Sequence, residues 1–161
     1  MNVREATPAD AAQMCALLNE IIEIGGTTAA EEVLSLAAFH AHYFEGEGIV
    51  SLFVAEQDGA ILGFQKLNHL DGVSQDIGDI ATFARASNKV KGVGRALFER
   101  TKAAAIEAGF SQINARIRAD NVPGMGYYAA IGFAPFDVVK DVPLKDGTPV
   151  DRMIKRYALT N

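Results

Sequence analysis

Hydrophobic positions recur along this chain with two periods, and the switches between them mark its elements. Val3 to Glu5 reads as a first short strand. Met14, Leu17, Leu18 and Ile21 then fall at helical spacing behind Thr7-Pro8-Ala9-Asp10, which supplies a cap, a first-turn proline and an acid near the positive end of the helix dipole. Gly25-Gly26 stops that helix, and a second is expected from Ala30 to Phe44 with Val33, Leu34, Ala37, Ala41 and Phe44 as its apolar face. Strand runs follow from Ile49 to Glu56 and from Ile61 to Leu67, joined by Asp58-Gly59, a strong hairpin signal. Beyond a polar loop over Asp71 to Gly78, Asp79 to Ala84 reads as another strand. A long helix from Val93 to Ala108 carries a stripe of Val93, Leu97, Thr101, Ala104, Ala105 and Ala108, whose small members allow close packing on a sheet; Gly109 ends it. Ile113, Ala115 and Ile117 alternate with Asn114, Arg116 and Arg118 as a strand. A short helix from Pro123 to Ala130 and strands from Phe136 to Val142 and Val150 to Leu159 complete the order β-α-α-β-β-β-α-β-α-β-β. The fold class expected is α/β, a mixed, mostly antiparallel central sheet with helices on both faces.

Composition narrows the picture. No repeat, low-complexity tract or linker divides the 161 residues, so a single domain over residues 1–161 is expected, large enough to bury a core. The formal net charge is −5 and basic residues form no long run, which argues against nucleic-acid and membrane-surface binding. Nothing approaches the ~18 apolar residues of a membrane span, and no basic segment precedes an apolar one at the N-terminus, so a cytoplasmic location is expected. The one cysteine, Cys15, lies in an apolar helical pattern and reads as core; no Cys/His cluster has the spacing of a metal site.

Against that acidic background Lys89-Val90-Lys91-Gly92-Val93-Gly94-Arg95 stands out. Backbone N–H groups at a helix start bind anions, glycines let the anion approach, and three cationic side chains surround the turn. The chemistry is that of a pyrophosphate cradle, set against the alternative of an ordinary surface turn. A P-loop would need Gly-Lys-Ser/Thr, and a dinucleotide fingerprint a third glycine and a distant acid; neither is present.

Lys89-x-x-Gly92-x-Gly94 resembles the (Gln/Arg)-x-x-Gly-x-(Gly/Ala) signature of the GCN5-related N-acetyltransferases, with lysine for glutamine or arginine at its first position. A second segment, Asn121 through Tyr128 to Gly132-Phe133, resembles that family's other motif, in which Asn leads a short helix carrying Tyr and the helix ends in Gly-Phe. The resemblance implies an acetyl-CoA-dependent N-acetyltransferase acting without metal on a primary amine of a small molecule, by direct attack in a ternary complex. Its early stretch, Asn19 to Thr28, is loosely similar to the phosphinothricin and amino-acid branch, although that branch often has His at the Tyr128 position. A non-catalytic acyl-CoA-binding or regulatory domain of the same fold is the alternative, and an acyl group longer than acetyl a weaker one. Many relatives pair, so a homodimer is implied.

The resemblance also distributes roles. Lys89, Val90, Lys91, Gly92, Val93, Gly94 and Arg95 would hold the pyrophosphate. Ala81, Thr82 and Phe83 belong to a strand expected to splay from its neighbour and offer backbone groups to pantetheine and the thioester carbonyl. Tyr128 would be the general acid toward the CoA sulfur, since a phenol stays protonated at neutral pH; packed in the core, it would have no such role. Asn121 would bind pantetheine or the acetyl group, or else cap its helix. Asp76 or Asp79 would be the base, with His69 as an alternative; both acids read equally well as solvated loop residues. Thr27 and Thr28 would line the acceptor pocket, and Arg85 or Arg116 would meet an acceptor carboxylate.

Overall fold

The computed structural model describes residues 1–69, 72 and 74–159. Strands β1 (Asn2–Glu5), β2 (Ile49–Gln57), β3 (Ala60–His69), β4 (Ile77–Ala84), β5 (Gln112–Arg118), β6 (Ala134–Pro143) and β7 (Pro149–Ala158) form one sheet in the order β1-β2-β3-β4-β5-β7-β6. Helices α1 (Ala11–Ile24), α2 (Leu36–Phe44), α3 (Val93–Glu107) and α4 (Val122–Ala130) cover it. Neighbouring strands run antiparallel except β4 and β5, which are parallel because α3 carries the chain back between them. The expected α/β class and its mostly antiparallel sheet are what the structure contains.

Local chemistry accounts for most boundaries. Thr7 caps a 3-10 turn at Pro8–Asp10 through a reciprocal capping box with Asp10, and α1 continues from it. Asp58 and Gly59 both have positive φ, 53° and 79°, which gives the β2–β3 hairpin the tight turn its twist favours. Two boundaries differ from expectation. The second helix begins at Leu36 rather than Ala30, because Ser35 accepts the Ala38 N–H and caps it there; residues 25–35 form an irregular crossing instead. Strand β4 begins at Ile77, inside the expected loop, because Ile77 to Ile80 pair with Gln112 to Ala115 of β5. Of that expected loop, residues 71 and 73 lie outside the described residues.

On one face α1 and α2 bury Met14, Leu18, Phe39 and Tyr43 against Val54 and Phe64. On the other, α3 packs Val93 and Leu97 on Phe53 and Leu62, while Phe98 meets Ile113, Ala115, Tyr128 and Phe133 under α4. Strand β3 is buried on both faces along most of its length, yet it carries Gln65 and Lys66. Buried polar groups there call for partners: the Gln65 Nε2 donates to Thr82 and Tyr127, and the Lys66 ammonium lies over the Tyr43 ring.

Candidate active site

The two central strands part company. Pairing of β4 with β5 ends at Ile80 and Ala115; beyond that β4 runs on to Ala84 beside β3, and β5 to Arg118 beside β7. Backbone groups of residues 81–84 that point away from β3 therefore have no ladder partner on the β5 side. Ala81, Thr82 and Phe83 lie along this open edge, the segment in which the family resemblance implies a splayed strand.

The chain leaves β4 and reaches α3 through the glycine turn. Gly92 is the N-cap in the left-handed region, φ 87°, and a Cβ there would meet no heavy atom within 4 Å, so the turn's outer side is open. The first intrahelical bond is Ala96 N–H to Gly92 O, which leaves the N–H groups of Val93, Gly94 and Arg95 ahead of it. Lys89, Val90, Lys91 and Arg95 are exposed around them, and Val93 is buried as the anchor. A helix start with unused N–H groups and cationic surroundings has the chemistry to attract an anion.

Gly94 has a second constraint. A Cβ on it would run into the Tyr127 ring, and Tyr127 OH donates to the Gly94 carbonyl at 2.8 Å. Tyr127 also accepts from Gln65 Nε2 at 3.1 Å, and the same nitrogen donates to Thr82 Oγ1 at 2.9 Å. Tyr128 OH lies 2.9 Å from Thr82 Oγ1. Burial pushes the Tyr128 phenol above its ordinary range, so it keeps its proton at neutral pH.

Asp79 sits on the opposite face of β4, between Asn68 of β3 and Asn114 of β5. Burial raises its pKa from 3.8 to about 6, against the opposing pull of Arg116 and Lys66. Lys66, on the same face, stacks its ammonium over the Tyr43 ring at 5.1 Å and is itself pushed down by burial. A carboxylate poised near 6 beside the open edge suits proton abstraction from an amine. Asp76 differs. It is exposed, accepts from the Ser74 and Ser111 side chains, and is held below the usual range by them. It pins the start of β4 to the segment entering β5, because its carbonyl accepts the Ser111 and Gln112 N–H groups. His69 points to the other face of the sheet, where its ring stacks near Phe110.

Asn121 is the N-cap of α4: its Oδ1 accepts from Gly124 N–H at 3.0 Å, and its Nδ2 donates to the Thr27 carbonyl at 2.8 Å. Arg118 reaches the Thr28 carbonyl at 3.1 Å while paired with Asp120. Thr27 and Thr28 are thus tied to the end of β5 and the start of α4. Arg85 follows β4 at the glycine-turn end, about 20 Å along an extended strand from Asp79, whereas Arg116 is exposed and acts on Asp79 electrostatically. Sequence reasoning missed Gln65 and Lys66. The available signal was a polar pair interrupting an otherwise apolar strand. Among the described residues no group of three or more His, Cys, Asp or Glu side chains could hold a metal ion.

Comparison with known proteins points the same way. Three solved structures superpose over nearly the whole chain. A ribosomal-protein-alanine N-acetyltransferase from Brucella melitensis is 21% identical with a TM-score of 0.87, covering 98% of this chain and 99% of that one. An N-acetyltransferase from Staphylococcus aureus is 20% identical with a TM-score of 0.87, covering 99% and 98%. A GNAT superfamily phosphinothricin acetyltransferase from Sinorhizobium meliloti, solved in complex with acetyl-CoA, is 22% identical with a TM-score of 0.83, covering 98% and 87%. No curated protein matches the sequence. The model of the acetyltransferase (GNAT) domain matches residues 3–154, and with that match the chain belongs to the GNAT acetyltransferase family.

Proposed function

We propose that the protein is an acetyl-CoA-dependent N-acetyltransferase whose acceptor is a small primary amine, an amino acid or an analogue of one. The observation that carries the reading is the parting of β4 from β5 after Ile80, with the anion-binding turn at the far end of the open edge and Asp79 at the near end. Residues 92–95 would hold the pyrophosphate by backbone N–H groups, with Lys89, Lys91 and Arg95 adding charge. The free backbone of residues 81–83 would receive pantetheine and polarise the thioester carbonyl.

Asp79 would take the proton of the attacking amine, directly or through water, as the nitrogen bonds to the carbonyl carbon. The carbon–sulfur bond then breaks, its electron pair goes to sulfur, and Tyr128 gives its phenolic proton there. Arg116, exposed beside Asp79, would meet an acceptor carboxylate; Arg85 lies toward the donor end. A second copy is expected on the outer strand β6, whose far edge pairs with no other strand among the described residues and which exposes Phe136 and Val139. A reducing cytoplasmic setting suits the single buried thiol of Cys15.

Isothermal titration with acetyl-CoA, followed by a thiol-release screen over amino acids, polyamines and other small amines, tests the reading. Binding and turnover with one acceptor class would support it. Absence of acetyl-CoA binding by folded protein would overturn it.

A further inference from the structure

A line of hydrogen bonds joins the glycine turn to Tyr128, and the direction of every bond but the last follows from which atoms can donate. The Gly94 carbonyl can only accept, so the single Tyr127 hydroxyl proton goes there, at 2.8 Å. The Tyr127 oxygen must then accept, and Gln65 Nε2 donates to it. The opposite orientation of the amide would set Gln65 Oε1 against the Tyr127 lone pairs and strand two buried N–H groups; the orientation present leaves only Oε1 without a partner. The second Nε2 proton goes to Thr82 Oγ1. Thr82 Oγ1 lies 2.9 Å from the Tyr128 oxygen and either can donate there; with Oγ1 already accepting from Gln65, the Thr82 proton is available for the Tyr128 oxygen. With Thr82 as the donor, Tyr128 receives that bond and its own proton is left over.

We propose that Gln65, Tyr127 and Thr82 are positioning residues which, anchored on the Gly94 carbonyl, make Thr82 donate to the Tyr128 oxygen and so hold the Tyr128 proton free for the departing sulfur. The inference rests on Tyr128 being the acid of the proposed transferase. No proton passes along the line: the phenol gives its proton to sulfur, and the phenolate formed keeps the bond from Thr82 and is reprotonated from solvent after product leaves. Gln65 explains its own burial in this way, since a leucine would fill the space but give Tyr127 and Thr82 no common donor. The arrangement also ties the acid's orientation to the turn that would hold pyrophosphate, because both use Gly94.

The test needs no acceptor. Titrations with CoA and with desulfo-CoA, which lacks the thiol, are compared across the pH range in which the thiol ionises. In the unmodified protein the preference for CoA should grow with pH, as Tyr128 donates to the thiolate. Tyr128→Phe should abolish that growth, Thr82→Val should reduce it about tenfold, and Thr82→Ser, which keeps the hydroxyl, should restore it. Desulfo-CoA affinity should change less than CoA affinity in all three variants. Thr82→Val added to Tyr128→Phe should cause no further loss, since both remove one interaction. In thiol release with an acceptor from the screen above, Thr82→Val should lower kcat by a larger factor than it raises the KM for acetyl-CoA.

A thiol-dependent preference lost in Tyr128→Phe but intact in Thr82→Val would overturn the positioning role and leave the acid standing. So would losses that multiply in the double variant. A preference absent from the unmodified protein, or unaltered in Tyr128→Phe, would overturn the acid and the positioning line together.

Discussion

Asp79→Asn should make the protein more stable and less active, and the stability gain should depend on pH. The carboxyl is raised from 3.8 to about 6 mainly by burial, so the fold binds its proton more readily than the unfolded chain does. Ionised Asp79 therefore opposes folding. Its cost is fully present above about pH 6, fades as pH falls toward 3.8, and is absent below that. A shift of this size corresponds to roughly 3 kcal/mol at about 1.4 kcal/mol per unit, an upper figure because the side chain is partly open to solvent. Asparagine matches the shape of the protonated acid. Urea denaturation of both proteins should give near-equal stabilities at about pH 4 and an advantage to Asp79→Asn approaching that figure at about pH 7.5. Over the same range the unmodified enzyme's kcat/KM should rise through an inflection near 6, and the variant should lose about 10²-fold or more of its activity. An advantage that does not change with pH, or a variant less stable at neutral pH, would refute the argument that burial outweighs Arg116 and Lys66 at this carboxyl.

Three further outcomes follow from the geometry. Gly94→Ala should lower stability by about 1–3 kcal/mol, measured by denaturant unfolding, because its methyl runs into the Tyr127 ring; Tyr127→Ala in the same chain should recover part of the loss. Lys89→Ala should weaken acetyl-CoA binding by a few-fold and flatten its salt dependence in calorimetric titration, since Lys89 is exposed and the backbone donors remain. Asn121→Ala should cost about 1 kcal/mol of stability through the lost α4 cap, read from thermal melts. It should also raise the acceptor KM more than the acetyl-CoA KM, because the Thr27 carbonyl loses its tie.

Local signals gave the strands and the glycine turn. Asp58-Gly59, the Ile113-Ala115-Ile117 alternation and the Gly92–Gly94 helix start each express a preference of neighbouring residues, and each appears where its pattern lies. The splay of β4 was expected from family resemblance, not from any property of residues 81–83. What stayed hidden depends on contacts distant in sequence. Thr27 is tied to Asn121 and Thr28 to Arg118, about ninety residues away, and Leu34 to Asn19, contacts that hold the segment before Leu36 as an irregular crossing where the apolar spacing had suggested a helix from Ala30. Gln65 likewise looks like a lone polar interruption until Thr82 and Tyr127 are brought beside it. Asp76 and Asp79 are three residues apart and chemically alike, yet one is solvated by serines and the other desolvated. Only the fold separates them.

The short β4–β5 seam has a consequence for how the molecule comes apart. Four paired positions join the strands β1 to β4 to the strands β5, β7 and β6, and among the described residues no other strand pairing crosses that line. Amide hydrogens along residues 81–84 should exchange in two populations: those facing β3 slowly, those facing the gap fast. A donor lying in the gap would act as a removable extra strand, slowing the second population and knitting the halves into one cooperative unit. In that sense the sheet is unfinished as a polypeptide, and what completes it leaves with every turnover.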